Sequence, residues 1–183
     1  MAGIFGPRLG QTSPQVQSIC DTKDIPHIET TWDTKQRRQD FLVNLHPHPS
    51  TLSLLYVEMV TAWGWKTFTL LYEDSSGLIR LNSLLKCMIT VKGVTIRQLD
   101  PLHNHRTVLR RIRNSGEKNI ILDCSIELLP EVLKQAQQVG LMTPLHNYII
   151  TSLDLHTIDL EPYKYSDTNI TGLRMVNPWS DIC

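Results

Sequence analysis

Between residues 66 and 151 the hydrophobic positions switch between two periods. Short apolar runs alternate with stretches in which apolar residues recur every three or four positions. KTFTLLY (66–72) predicts a strand rich in Thr and aromatic residues, and Asp74, Ser75, Ser76 and Gly77 behind it predict a turn. Leu78, Leu81, Leu84 and Leu85 follow at helical spacing, with Arg80 and Asn82 on the outward side. GVTIRQL (93–99) predicts the next strand. After it comes a helix from about Arg106 that carries Val108, Leu109 and Ile112 on one face and stops at Gly116. NIILDC (119–124) is apolar on both faces, as a parallel strand between two helix layers must be. A long helix from about Ile126 to Val139 has Leu129, Val132, Leu133 and Ala136 as its inner stripe and ends at Gly140. NYIITSL (147–153) predicts a fourth strand. Three strand–helix units and a closing strand make one α/β lobe of the doubly wound kind.

The first 62 residues read as a different unit. GIF is a short strand, Gly6–Pro7 opens a loop, a short helix ends at Cys20, and PHIE and FLVNLHP are further strands. A helix from Ser50 to Trp63 carries Leu52, Leu55, Tyr56, Met59 and Val60 along one side. One strand–helix unit with spare strands does not close a sheet, so this lobe is expected to be incomplete within the chain.

Composition narrows the function classes. With 41% hydrophobic and 20% charged residues among 183, the chain is an ordinary folded protein. Lys plus Arg and Asp plus Glu balance at 18 each, so no net field favours nucleic acid or an anionic membrane. Arg106, Arg110, Arg111 and Arg113 form a basic stripe on one helix and are read as a solvated face, since no groove-reading or stacking element accompanies them. No apolar run approaches the roughly 20 residues that span a bilayer. MAGIFGPRLG lacks the basic and apolar segments of a secretory signal, so a secreted parent is expected to begin upstream.

The chemical motifs point away from catalysis. The sequence has no G-x-S-x-G elbow, no H-E-x-x-H, no phosphate-binding P-loop and no G-x-G-x-x-G, and no catalytic residue, metal or cofactor is expected. Cys20, Cys87, Cys124 and Cys183 form no Cys-x-x-Cys; Cys20 and Cys124 each close an apolar run and are expected to be buried. His46-Pro47-His48 and His103-Asn104-His105 lack a third ligand at metal spacing and are read as exposed loop histidines. Asn169-Ile170-Thr171 is an N-glycosylation sequon, after the loop KYSD and before the apolar run GLRMV.

GIFGP (3–7), VQSIC (16–20), PHIETTW (26–32) and WKTFTLLYEDSSGLIRL (65–81) resemble, in order, the amino-terminal domain of kainate-type ionotropic glutamate receptors. The resemblance continues through TIRQL (95–99), ILDCS (121–125), LKQAQQVGLMT (133–143) and residues 148–177. It implies an α/β clamshell of the type I periplasmic-binding-protein class, with three-layer αβα lobes, largely parallel sheets and an incomplete first lobe. On that basis residues 1–62 are the later part of the first lobe, 63–175 the second lobe and 176–183 the start of the return to the first. The implied role is subunit recognition and assembly on the extracellular side, with sister receptor subunits as partners and a membrane reached only through segments absent from this chain. Asn169 falls on a sequon that these receptors carry. The family's first-lobe disulfide is expected to use cysteines outside the chain, so Cys183 is not assigned to it. RLGQT (8–12) departs from the serine-rich loop usual after Gly-Pro.

Two other functions are to be distinguished. A clamshell closing on an amino acid or similar solute would draw on Thr12 and Thr30 from one lobe and Asp154 from the other, with Arg8 and Gln11 beside Thr12. Asp154 reads equally well as a turn or cap residue after NYIITSL. A flavodoxin-like or hydrolase-like enzyme on a similar sheet is the third reading, against which the missing motifs argue.

Overall fold

The computed structural model describes residues 3–7, 12–30, 32, 40–88, 93–100 and 104–175. Arg8, Gln11, His103 and the segment 176–183 with Cys183 lie outside the described residues.

Two all-parallel sheets organise the chain. The first contains strand β1 (Ile4–Phe5), β2 (His27–Glu29) and β3 (Leu42–Asn44) in that order, with helix α1 (Ser13–Lys23) between β1 and β2. α1 continues one turn past the expected end at Cys20 and closes on Asp24 in the left-handed region. The buried residues of α1 and β2 are mostly polar: Ser13, Gln17, Cys20, His27 and Glu29. The His27 ring sits between them, with Nδ1 2.5 Å from Gln17 Oε1 and Nε2 2.5 Å from the Gly6 carbonyl, so one side chain ties helix, strand and loop together.

The second sheet follows helix α2 (Pro49–Ala62), which begins with the His48 side chain accepting from the Ser50 N–H. It comprises β4 (Phe68–Tyr72), helices α3 (Ser75–Arg80) and α4 (Asn82–Met88), β5 (Val94–Gln98), α5 (Arg106–Ser115), β6 (Asn119–Asp123), α6 (Leu129–Gln138), β7 (Asn147–Ile150) and β8 (Asn169–Gly172). Strand order is β5-β4-β6-β7-β8, every pair parallel. In order of entry that is 2-1-3-4-5, a doubly wound sheet. Alternation along the strands builds the two faces. Ile120, Leu122, Tyr148 and Ile150 join Leu109, Ile112, Leu129, Val132 and Leu133 of α5 and α6, whereas Phe68, Leu70, Ile121 and Ile149 join Tyr56 and Val60 of α2 and Leu84 of α4. Cys20 and Cys124 are buried as expected.

Four details differ from the sequence pattern. Helix α2, expected with the unit 1–62, packs on the five-stranded sheet, because Tyr56 and Val60 are fully within its core. The leucine-rich helix after β4 is two helices that break at Leu81; its leucines still face the core, with Leu81, Leu84 and Leu85 all buried. The break leaves the Leu84 N–H without its helical acceptor, and buried Ser53 of α2 supplies its Oγ at 2.9 Å. α6 starts at Leu129 rather than near Ile126, with Pro130 in its first turn. Finally, a fifth strand, β8, follows two 3-10 turns, Leu155–Thr157 and Glu161–Ser166.

Removing the Ser53 hydroxyl strands a buried backbone donor. Ser53→Ala is expected to destabilise the protein by about 1–3 kcal/mol, the cost of an unsatisfied buried N–H, read as a lowered urea midpoint at unchanged m-value.

Candidate functional site

In an open doubly wound sheet the crevice lies at the carboxyl ends of the strands where the winding direction reverses, here between β4 and β6. β4 delivers Glu73 and Asp74 to that point, β6 delivers Asp123, Cys124 and Ser125, and β7 delivers Thr151. Asp123 is the anchor. It is 1% exposed and its carboxylate takes Arg80 Nη2 at 2.6 Å and Arg80 Nε at 3.3 Å. Thr151 Oγ1 donates to its Oδ1 at 2.6 Å. Gly77 leaves room for this carboxylate, because a Cβ there would lie 2.1 Å from Asp123 Oδ2.

The flanking carboxylates are committed as well. Glu73 Oε2 accepts the Ser125 N–H at 2.6 Å, and the Glu73 N–H donates to the Asp123 carbonyl at 2.9 Å. Asp74 caps α3 by accepting from the Gly77 N–H at 3.2 Å and also takes the Ser76 hydroxyl. From the first sheet's side, the Trp32 ring lies over the Arg80 guanidinium at 5.0 Å, a cation–π contact. Behind the crevice the Tyr56 hydroxyl donates to the Thr151 carbonyl at 3.2 Å.

These contacts set the electrostatics. Burial works against the charge on Arg80, but its hydrogen bonds to Asp123 and the carboxylates of Asp123, Asp74 and Glu73 outweigh it and hold the guanidinium's pKa above its ordinary value. The Ser76 hydroxyl, then the Gly77 N–H and Arg80, hold Asp74 below the usual carboxylate range. Burial, with Asp123 adding, pushes the Tyr56 phenol up, and burial with Glu73 and Asp123 pushes the Cys124 thiol up. Cys124 is therefore an inert thiol rather than a nucleophile. The crevice is a hydrogen-bonded polar cluster built on the Arg80–Asp123 pair, and it positions the strand ends.

The residues named from sequence lie elsewhere. Thr12 is exposed at the start of α1, and Thr30 is exposed one residue past β2. Asp154 is exposed and heads the first 3-10 turn, its carbonyl accepting from Thr157 N–H at 2.9 Å and Thr157 Oγ1 at 2.7 Å. Thr30 and Asp154 take no part in the Arg80–Asp123 network. Arg80, expected on the outward face, turns in to Asp123 instead, because the buried carboxylate requires a cation. Its signal was present: an aspartate closing an otherwise apolar strand. His105, read as an exposed loop histidine, is fully buried at the head of α5, whereas His48 is exposed. Arg110, Arg111 and Arg113 are exposed, and Arg106 reaches Gln138 Oε1 at 2.7 Å. Asn169 is exposed at the first position of β8. No group of three metal-binding side chains and no helix able to cross a membrane occurs among the described residues. An open groove of about 350 Å3 lies between β5 and α5, lined by Arg97, Gln98, Thr107 and Arg111, and Gln98 Nε2 donates from it to the Glu73 carbonyl at 3.3 Å.

The buried pair yields a cycle. Arg80→Ala is expected to cost about 3–5 kcal/mol by leaving Asp123 uncompensated, and Asp123→Asn in that background to recover part of the loss. Equal, additive losses in chemical denaturation would contradict the pairing. Asp74 gives a pH signature. Its folded carboxyl titrates below the unfolded one, so its contribution is complete above the unfolded value and is lost as pH falls through the folded value. Asp74→Ala should therefore cost about 1 kcal/mol at neutral pH, with the two stability curves converging in acid.

Comparison with known proteins fits this architecture. Residues 1–182 match the family described as receptor family ligand binding region. The chain is 40% identical over 182 residues to the protein named glutamate receptor ionotropic, kainate 1, of Rattus norvegicus, covering 97% of this chain and 19% of the relative. The like-named proteins of Mus musculus and Homo sapiens are 40% and 39% identical over 183 residues, covering 97% of this chain and 22% and 20% of theirs. The chain thus spans about a fifth of the length of the curated relatives it matches. Both the kainate-receptor resemblance and the α/β class read from the sequence stand, and the chain belongs to the receptor ligand-binding-region family.

Proposed function

We propose that the chain is part of the extracellular amino-terminal domain of a kainate-type ionotropic glutamate receptor and acts in subunit recognition and assembly rather than as an enzyme. The observation that carries this reading is 40% identity sustained over 97% of the chain. On this reading residues 1–62 are the later part of the first lobe, 63–175 the second lobe and 176–183 the start of the return to the first, with α2 packing on the second lobe's sheet. Sister receptor subunits are the partners.

Apolar side chains left outside the cores supply the recognition surface. Ile19 on α1, Leu54 on α2 and Ile79 on α3 are each more than half exposed, at 57%, 53% and 56%. A solute-binding cleft has less support, because Arg80, the cation at the crevice, is already neutralised by Asp123. Asn169, exposed on an edge strand, is the glycan acceptor of the secreted protein.

The test is recovery of a co-expressed full-length kainate-type subunit with the chain, secreted behind a signal peptide. Leu54→Arg with Ile79→Arg is expected to lower recovery at least about tenfold, since burying an unpaired charge costs several kcal/mol. Undiminished recovery, with secretion intact, would remove these two helices from the interface.

A further inference from the structure

We propose that an asparagine ladder across the sheet sets how readily Asn169 is modified: the glycan is added most readily before β8 docks on β7, and docking ties the acceptor amide into the ladder. The proposal rests on the reading of Asn169 as a glycan acceptor and adds the residue that controls it.

The three last strands begin in register with the same side chain, Asn119 opposite Asn147 and Asn147 opposite Asn169. Their amides form a continuous chain. Asn169 Nδ2 donates to Asn147 Oδ1 at 3.0 Å, Asn147 Nδ2 to Asn119 Oδ1 at 3.0 Å, and Asn119 Nδ2 to the Thr67 carbonyl at 3.0 Å. Each rung orients the next, because an amide that donates on one side presents its oxygen on the other. The main chain is held at the same place by the Asn169 N–H donating to the His146 carbonyl at 3.2 Å.

Transfer of a glycan uses the atom that the ladder holds. The Asn169 Nδ2 attacks the anomeric carbon of a lipid-diphosphate-linked oligosaccharide. The new N–C bond replaces the C–O bond to the diphosphate, which leaves with the bonding electrons, and one Nδ2 hydrogen departs as a proton. The transferase must hold the Asn169 amide and the Thr171 hydroxyl together. Two residues apart on a strand, they share one face, but β8 pairing keeps both against β7. The docked amide has one hydrogen in the ladder, so a transferase that takes up the amide must first break that rung, which local opening of β8 does. A sugar already in place leaves Nδ2 one hydrogen, enough to complete the rung when the strand docks.

The experiment uses the full chain purified from bacteria, hence unmodified, incubated with oligosaccharyltransferase and its lipid-linked donor, with gel mobility as readout. A peptide of residues 164–175 is the undocked acceptor. The peptide is expected to be modified and the folded chain to lag at least tenfold. Asn147→Ala should speed the folded chain about fivefold, the worth of one ordinary net hydrogen bond. Asn147→Asp, which keeps an oxygen facing Asn169, should remain slow, and circular dichroism separates this from unfolding. A folded chain modified as fast as the peptide, or equal rates for the Ala and Asp variants, overturns the ladder while leaving the acceptor. An unmodified peptide overturns the acceptor reading itself, and the ladder's role with it.

Discussion

A single buried carboxylate governs the carboxyl ends of the five-stranded sheet. Asp123 closes β6, the central strand, with 1% of its surface exposed. An isolated carboxylate in such a place costs several kcal/mol even after relaxation, so its surroundings must supply donors and charge. Three elements do so. α3 brings Arg80 in a forked contact, β7 ends in Thr151, and Gly77 in the first turn of α3 has no Cβ to exclude the carboxylate. α3 is thereby held close to the strand end, while α4 restarts after Leu81 and takes its missing acceptor from Ser53. The helix break and the ion pair belong to one arrangement: Arg80 satisfies the carboxylate, and the leucines on either side of the break stay in the core.

This arrangement also limits what the crevice can do. In a doubly wound sheet that location commonly receives a ligand. Here Asp123 is already paired with Arg80, the Cys124 thiol is held protonated by burial, and Glu73 and Asp74 accept backbone N–H groups. What remains directed outward is the face of the Arg80 guanidinium, covered by Trp32 from beyond β2. The network therefore joins the two sheets through the Trp32–Arg80 contact.

Most of the second sheet was legible because its pattern is strongly periodic. β4, β6 and β7 are buried on both faces, α5 and α6 carry one clean apolar stripe each, and Gly116 and Gly140 take the positive φ that their stop positions demand. What was not legible shares one cause: partners far apart in sequence. Arg80 sits where periodicity points outward, and only Asp123, 43 residues on, turns it in. Leu81 ends one helix without disturbing the leucine spacing, so the break has no hydrophobic signature. β8 is short and its residues are exposed or half-buried, because it lies at the sheet edge, so it lacks the apolar run that marks β6. α2 follows the first sheet in sequence but packs with the second, which order alone cannot reveal.

The two ends of the sheet solve the problem of parallel strand termini in opposite ways. At the carboxyl ends a buried charge recruits one cation and one hydroxyl, a solution that depends on a specific helix and tolerates little change of position. At the amino ends Asn119, Asn147 and Asn169 repeat one neutral amide across three strands, and in-register pairing makes each an acceptor for the next. The neutral ladder needs no burial, since each amide finds its partner at the same height on the adjacent strand. It can therefore extend to an edge strand with little apolar surface, where a buried ion pair would lack the cover that makes it necessary. β8 is held at its amino end by the Asn169 rung and along its length by the β7 ladder, while Leu155 packs against Gly172 so closely that a Cβ there would lie 2.5 Å from its Cδ2. An edge strand with few core contacts is thus secured at both ends, and the amino-end fastening is the one whose side chain also carries the sequon.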